Sequence, residues 1–160
     1  MAGPRRRSRE IALQILHQVD VSGDAASDAH VNVMLARYFE HLATRTGPAD
    51  EEDAYETAEP ASKIDRPLIE EIVRGVCSHR AEIDAQLTTL SRNWRLERMA
   101  LVDRNVIRIA LFELAHCPTV PVNVVLNEAV ELAKRYGTAE GAAFANGLLD
   151  RALTDLNLRR

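Results

Sequence analysis

The chain has 160 residues, 46% of them hydrophobic and 28% charged, which is typical of one soluble globular domain that buries its own core. No apolar run approaches the roughly 18 residues of a membrane span, and no apolar segment typical of a secretion signal follows the basic N-terminus. The two cysteines, Cys77 and Cys117, form no CxxC motif, so we expect a cytoplasmic protein without a disulfide framework.

Charge is distributed unevenly along the chain. The formal net charge is −4, yet residues 1–9 carry four arginines and no acid. Residues 44–65 carry seven acids against two bases. A basic end on a mildly acidic chain favours a local contact with an anionic partner over general binding by a basic surface.

Hydrophobic spacing predicts helices throughout and no strand, which makes the expected fold class all-α. Residues 1–43 are expected to form the N-terminal helices, with a first apolar stripe running from Ala12 to Val19. Residues 44–64 contain two prolines and many acids, which is typical of an exposed acidic linker. Residues 65–160 are expected to form the C-terminal helical part of a single domain, 1–160.

The C-terminal part begins with a helix-start signal, because Asp65 is a capping residue and Pro67 suits a first turn. Apolar spacing then continues to Leu90, which predicts one long helix. A connecting turn is expected to bury Trp94.

Further along the chain, Asp103 is expected to cap the next helix. Gly137 is expected to end the helix before the last one.

The sequence lacks the motifs of an enzyme or of a cofactor site. There is no glycine-rich phosphate loop and no HExxH, and the five histidines show no metal-ligand spacing. Cys77 and His79 lie two residues apart, on different faces of a helix, so they are not expected to share a metal. We therefore expect no catalytic residue, no metal and no cofactor.

The basic end, Arg5, Arg6, Arg7 and Arg9, is either a solubilising terminus or an RNA contact. RNA is favoured because these residues lead directly into a helix, and because the chain has 18 arginines and two lysines. Guanidinium groups pair with phosphate oxygens and stack on exposed bases. A membrane contact would need large apolar residues beside the cations. The helix dipole disfavours each cation by about 0.3–1 kcal/mol, a cost that a frayed first turn is expected to reduce.

Several segments resemble the NusB family of bacterial transcription antitermination factors, in order and over nearly the whole chain. They are "RRRSREIALQILHQVD", "VDRNVIRIALFEL", "NEAVELAK" and "FANGLLD". The resemblance implies an all-α bundle of about seven helices in two subdomains, without enzymatic activity. It also implies binding of single-stranded boxA-type RNA from ribosomal RNA transcripts, together with NusE, a small-subunit ribosomal protein, and thereby an indirect link to the RNA polymerase antitermination complex.

By the same resemblance, RNA contacts fall on the four arginines, His17, Glu140 and Phe144, and a NusE contact falls on Asp103. His17 stands where the family often has tyrosine, and it either stacks on a base or is a half-exposed surface histidine. Phe144 also fits the apolar stripe of the last helix, which favours a core position. Glu140 would repel phosphate, so it would tune affinity or bond to a base edge. If the four arginines each contact a phosphate, the plot of log Kobs against log salt concentration would have a slope of about −2.8 for single-stranded RNA.

Alternative functions are compatible with the same residues. One alternative is that the chain is the RNA-recruiting domain of an rRNA cytosine methyltransferase. The other is a helical adaptor that binds NusE and no RNA. The acidic segment 44–62 is either a solvated loop or a mimic of RNA that covers the arginines, and deleting residues 46–60 separates the two by its effect on RNA affinity. The sequence is compatible with a monomer or a homodimer.

Overall fold

The computed structural model describes residues 3–23, 27–44, 64–92 and 96–158. These ranges contain seven helices and no strand, which confirms the all-α prediction. The helices are α1 (Pro4–Val21), α2 (Asp28–Thr44), α3 (Arg66–Ser78), α4 (Arg80–Ser91), α5 (Leu101–His116), α6 (Val122–Tyr136) and α7 (Gly141–Asp155), with a 3₁₀ turn at Leu96–Arg98. Trp94 and the acidic residues 45–63 lie outside the described ranges.

By its contacts the chain divides into two compact units, Met1–Val73 and Arg74–Arg160. Within the described parts of both units, no helix combines the length and the apolar character that crossing a bilayer requires.

The first unit is built on α1, which packs against α2. The predicted stripe from Ala12 to Val19 is buried, and it meets Val31 and Leu35 of α2 in the core. Pro4 occupies the first helical position of α1, where its missing N–H costs no hydrogen bond.

The start of α3 matches its sequence signal. The Leu68 N–H donates to Asp65 Oδ1 at 3.1 Å, which is the predicted capping bond. The Asp65 N–H in turn donates to Ser8 Oγ at 2.8 Å, and the Ser8 hydroxyl donates to the Pro4 carbonyl at 2.8 Å. Ser8 therefore joins the start of α3 to the first turn of α1.

The prediction of one helix from residue 68 to residue 90 is wrong, because α3 ends at Ser78 and α4 begins at Arg80. His79 between them has φ −102° and ψ 16°, outside the helical region. The Gly75 carbonyl accepts the His79 N–H at 3.0 Å, and also lies 2.9 Å from His79 Nδ1 and 3.2 Å from Ser78 Oγ. Side chains that compete for a helix carbonyl favour a local break, and their effect is invisible in the hydrophobic period.

The second unit is built around α5, which packs against α4, α6 and α7. Almost every residue of its middle is buried, as expected for a helix surrounded by others. Arg108 lies in this core and donates from Nε and Nη2 to the two carboxylate oxygens of Asp84, at 2.7 and 2.9 Å. Its Nη1 donates to Asn105 at 3.0 Å, so this two-pronged ion pair joins α4 to α5.

Candidate nucleic-acid interface

Three arginines at the start of α1 form an accessible basic surface, here called the arginine tip: Arg5, Arg6 and Arg7. Arg5 is exposed and the other two are half-buried. Arg7 Nη1 donates to the buried Glu10 Oε2 at 3.1 Å, which holds that guanidinium in place. Because a guanidinium has five donors, the ion pair leaves further N–H groups of Arg7 for a phosphate.

Arg9 differs from the tip, because it is only 2% exposed. The expectation that the four arginines lie on a frayed first turn is wrong for Arg9, since α1 is helical from Pro4 and carries Arg9 into its buried face. The sequence contained the signal for this burial. Arg9 lies three residues before Ala12 and seven before Leu16, on the continuation of the apolar stripe.

The first turn of α1 adds backbone donors to the arginine tip. The Arg7 N–H is bonded to the Gly3 carbonyl at 3.0 Å, and no side chain of the described residues caps this end. The N–H groups at a helix start point outward and carry the positive end of the helix dipole. An anion placed there meets backbone donors and guanidinium groups together.

His17 lies further along α1 and is half-buried. Its Nδ1 is buried and has no hydrogen-bond partner among the described residues. The arginine tip and His17 both belong to the first unit.

Asp103 belongs to the second unit, and the prediction that it caps α5 is wrong. Ala100 precedes α5 in the capping position, and Asp103 is its third helical residue, 5% exposed. Its carboxylate accepts the Thr138 hydroxyl at 2.7 Å and the Thr138 N–H at 3.3 Å. A Cβ at Gly137 or Gly141 would overlap Asp103 Oδ1, so both glycines are needed for this close approach.

A cavity of about 600 Å³ opens beside this carboxylate at the start of α7. Glu140 and Phe144 line it together with Asp103, Arg98 and Met99, so the structure brings the three predicted residues of the second unit together. Glu140 is exposed directly before α7. Phe144 is half-buried. Its exposure is thus intermediate between that of the core residue favoured by the apolar stripe and that of an open surface residue.

Ser8 and Thr138 support these surfaces and were missed by the sequence analysis. Ser8 falls on the apolar stripe of α1, four residues before Ala12, which would have predicted its burial. Thr138 follows Gly137, and no local sequence pattern predicts its hydrogen bond to Asp103, which lies 35 residues away.

Comparisons with known proteins give one consistent result. A sequence model described as the NusB family matches residues 6–154. The transcription antitermination protein NusB of Anaeromyxobacter dehalogenans is 42% identical over 156 residues, which cover 98% of this chain and 94% of that protein.

Two solved structures have a similar fold. NusB from T. maritima superposes with a TM-score of 0.69 at 30% identity, covering 97% of this chain and 94% of the other. A chain in a crystal structure of a plectonemic RNA supercoil superposes with a TM-score of 0.71 and covers 98% of both chains. It is 18% identical, so its likeness bears on the fold alone.

Proposed function

The chain belongs to the NusB family, and from this premise we propose that it is an RNA-binding transcription antitermination factor. It would bind single-stranded boxA-type RNA of ribosomal RNA transcripts specifically, and it would act together with NusE. The observation that carries the proposal is the arginine tip at the uncapped start of α1. Through NusE the protein would join the RNA polymerase antitermination complex. This function requires no catalytic group.

The RNA backbone would lie against the arginine tip. The exposed Arg5 and the half-buried Arg6 and Arg7 offer charged forks to phosphate oxygens, and the first turn of α1 offers backbone donors. Arg9 would support this contact only indirectly, from the buried face of α1, because it is too buried to meet a phosphate.

Base contacts are proposed in each unit separately. His17 on α1 is half-buried, and so is Phe144, which lies beside Glu140 in the second unit. Aromatic rings stack on unpaired bases, and carboxylates accept from base amino groups. We propose these three residues for base contacts and the arginine tip for the phosphates.

For NusE, Asp103 would act by holding the start of α7 in place. Its carboxylate is 5% exposed and already accepts two hydrogen bonds from Thr138, so little of it is open to a partner. The exposed rim of the neighbouring cavity, including Arg98 and Glu140, would then supply the direct contacts.

The test is a gel shift with a labelled single-stranded boxA-like RNA, with and without NusE. Replacing Arg5, Arg6 and Arg7 by alanine should weaken binding by at least about tenfold, because each charge-assisted bond contributes about 1.5–3 kcal/mol. The matched control replaces three exposed arginines elsewhere, Arg37, Arg74 and Arg135, and removes the same charge. This control should change affinity much less.

Equal weakening in the two triple variants would contradict the role of the arginine tip. If the chain forms a complex with NusE but no RNA binds, either to the chain alone or to the complex, the chain is instead an adaptor that binds only NusE.

A further inference from the structure

Three side chains of the second unit cluster outside the surfaces described above: His79, Glu82 and His116. One nitrogen or oxygen atom of each lies within 4.8 Å of the corresponding atoms of the other two. His116 Nε2 is 4.0 Å from Glu82 Oε1, and the two imidazole centroids are 4.1 Å apart. Two imidazoles with one carboxylate form a common protein ligand set for zinc. We propose that this cluster binds a divalent transition-metal ion, with Zn²⁺ as the preferred ion.

The hydrogen bond of His79 supports this assignment. Its Nδ1 lies 2.9 Å from the Gly75 carbonyl oxygen, which can only accept. Nδ1 also lies 3.1 Å from Ser78 Oγ, a hydroxyl that can donate or accept. In the tautomer that bonds to the carbonyl, Nδ1 carries the proton and Nε2 is left for the metal. Histidines that ligate metals are commonly held by such a bond from the other ring nitrogen to a backbone carbonyl. The break between α3 and α4 thus orients this ring.

Phe112 orients both imidazoles from the protein side. Its ring centroid lies 5.9 Å from that of His79 and 5.3 Å from that of His116. Phe112 itself is buried, so it forms a fixed apolar wall behind the cluster. An apolar wall behind a metal site limits the access of water on that side.

The solvent side of the cluster is open. The side chains of Glu82 and His116 are 66% and 31% exposed, so an ion can enter and both side chains have room to rotate. Ligand atoms around tetrahedral zinc lie about 3.3 Å apart, so the present separations must close by roughly 1 Å. The three protein ligands would leave a fourth position for water.

This set is not visible in the sequence, because its members come from three places. His79 lies in the break between α3 and α4, Glu82 in the first turn of α4, and His116 at the end of α5. A local signal is the spacing of three between His79 and Glu82, which places the residue before α4 and the third residue of α4 on one side. Packing of α4 on α5 supplies the third.

The test is calorimetric titration of the untagged full chain with zinc chloride after removal of metals by a chelator. We expect one Zn²⁺ per chain. His116→Gln and Glu82→Gln should each weaken binding by at least about tenfold, since even the outer partners of metal ligands contribute that much. His41→Gln, which changes an exposed histidine of α2, is the control and should keep the original affinity. Affinity should fall at lower pH, because the ligands bind deprotonated.

Ring resonances of the histidines and thermal unfolding give independent measurements. Zn²⁺ should shift the signals of His79 and His116, and should raise the Tm of the original chain by more than that of the Glu82 variant at the same zinc concentration. Absence of one-to-one binding, or equal weakening by His41→Gln, would overturn the proposal and leave His116 and Glu82 as an ion pair only. Neither measurement involves RNA, so the result does not depend on the proposed function.

Discussion

Asp103 is the residue on which the start of α7 depends. A buried carboxylate is costly unless hydrogen bonds replace its water, and here the hydroxyl and the N–H of Thr138 do so. The same carboxylate lies against Gly137 and Gly141, where no Cβ fits. Asp103 on α5 thus requires glycine at positions 137 and 141, in the turn between α6 and α7.

Removing this acid should destabilise the protein. Asp103→Ala is expected to lower the free energy of unfolding by about 1–3 kcal/mol, because Thr138 loses its acceptors. Combined with Thr138→Ala in a double-mutant cycle, it should give a coupling energy of about 0.5–3 kcal/mol. Urea denaturation measures both quantities.

The control for this cycle is Glu140→Ala, an exposed acid nearby, which should change stability by no more than about 0.5 kcal/mol. Strictly additive effects of Asp103→Ala and Thr138→Ala would show that the bond from the Thr138 hydroxyl contributes nothing to stability, since alanine keeps the backbone N–H.

At the scale of the helices, Gly75 marks a close contact between α3 and α5. A Cβ at this position would overlap the ring of Phe112, which is buried. Gly147 in α7 is the opposite case, because it is exposed and a Cβ there would meet no atom within 4 Å.

The two glycines should therefore respond to alanine with opposite signs. Gly75→Ala is expected to lower the free energy of unfolding by about 1–3 kcal/mol through overpacking. Gly147→Ala should raise it by about 0.5–1 kcal/mol, because alanine has the higher helix propensity. Denaturant titration of both variants is the measurement, and stabilisation by Gly75→Ala would contradict the close contact.

The hydrophobic period predicted where the helices lie, because burial of one face is a local property of the sequence. It did not predict the break at His79, which depends on side chains that compete for the Gly75 carbonyl. The role of Asp103 was also out of reach, since its partner is distant in sequence. The burial of Arg9 was within reach, since extending the stripe of α1 backwards places it inside.

At the scale of the whole molecule, acids outnumber bases by 24 to 20, so the overall charge opposes an RNA partner. Binding must therefore depend on a local concentration of positive charge. The arginine tip supplies three accessible cations within the first turns of α1.

Three phosphate contacts predict a specific salt dependence. The plot of log Kobs against log salt concentration should have a slope of about −2.1 for single-stranded RNA, at about 0.7 per contact, in place of the −2.8 expected from four arginines. Arg9→Ala should leave this slope unchanged while lowering stability. A slope near −2.8 that falls on Arg9→Ala would mean that Arg9 leaves the core when RNA binds.

The two hydrogen bonds of Ser8 limit how this protein can be redesigned. Its hydroxyl accepts from the Asp65 N–H and donates to the Pro4 carbonyl, a combination that neither lysine nor arginine can supply. A library meant to raise RNA affinity by completing the basic run at position 8 would sacrifice the junction between α1 and α3. Randomisation should instead be confined to positions 5 and 6, whose side chains reach solvent, because Arg7 also pairs with the buried Glu10.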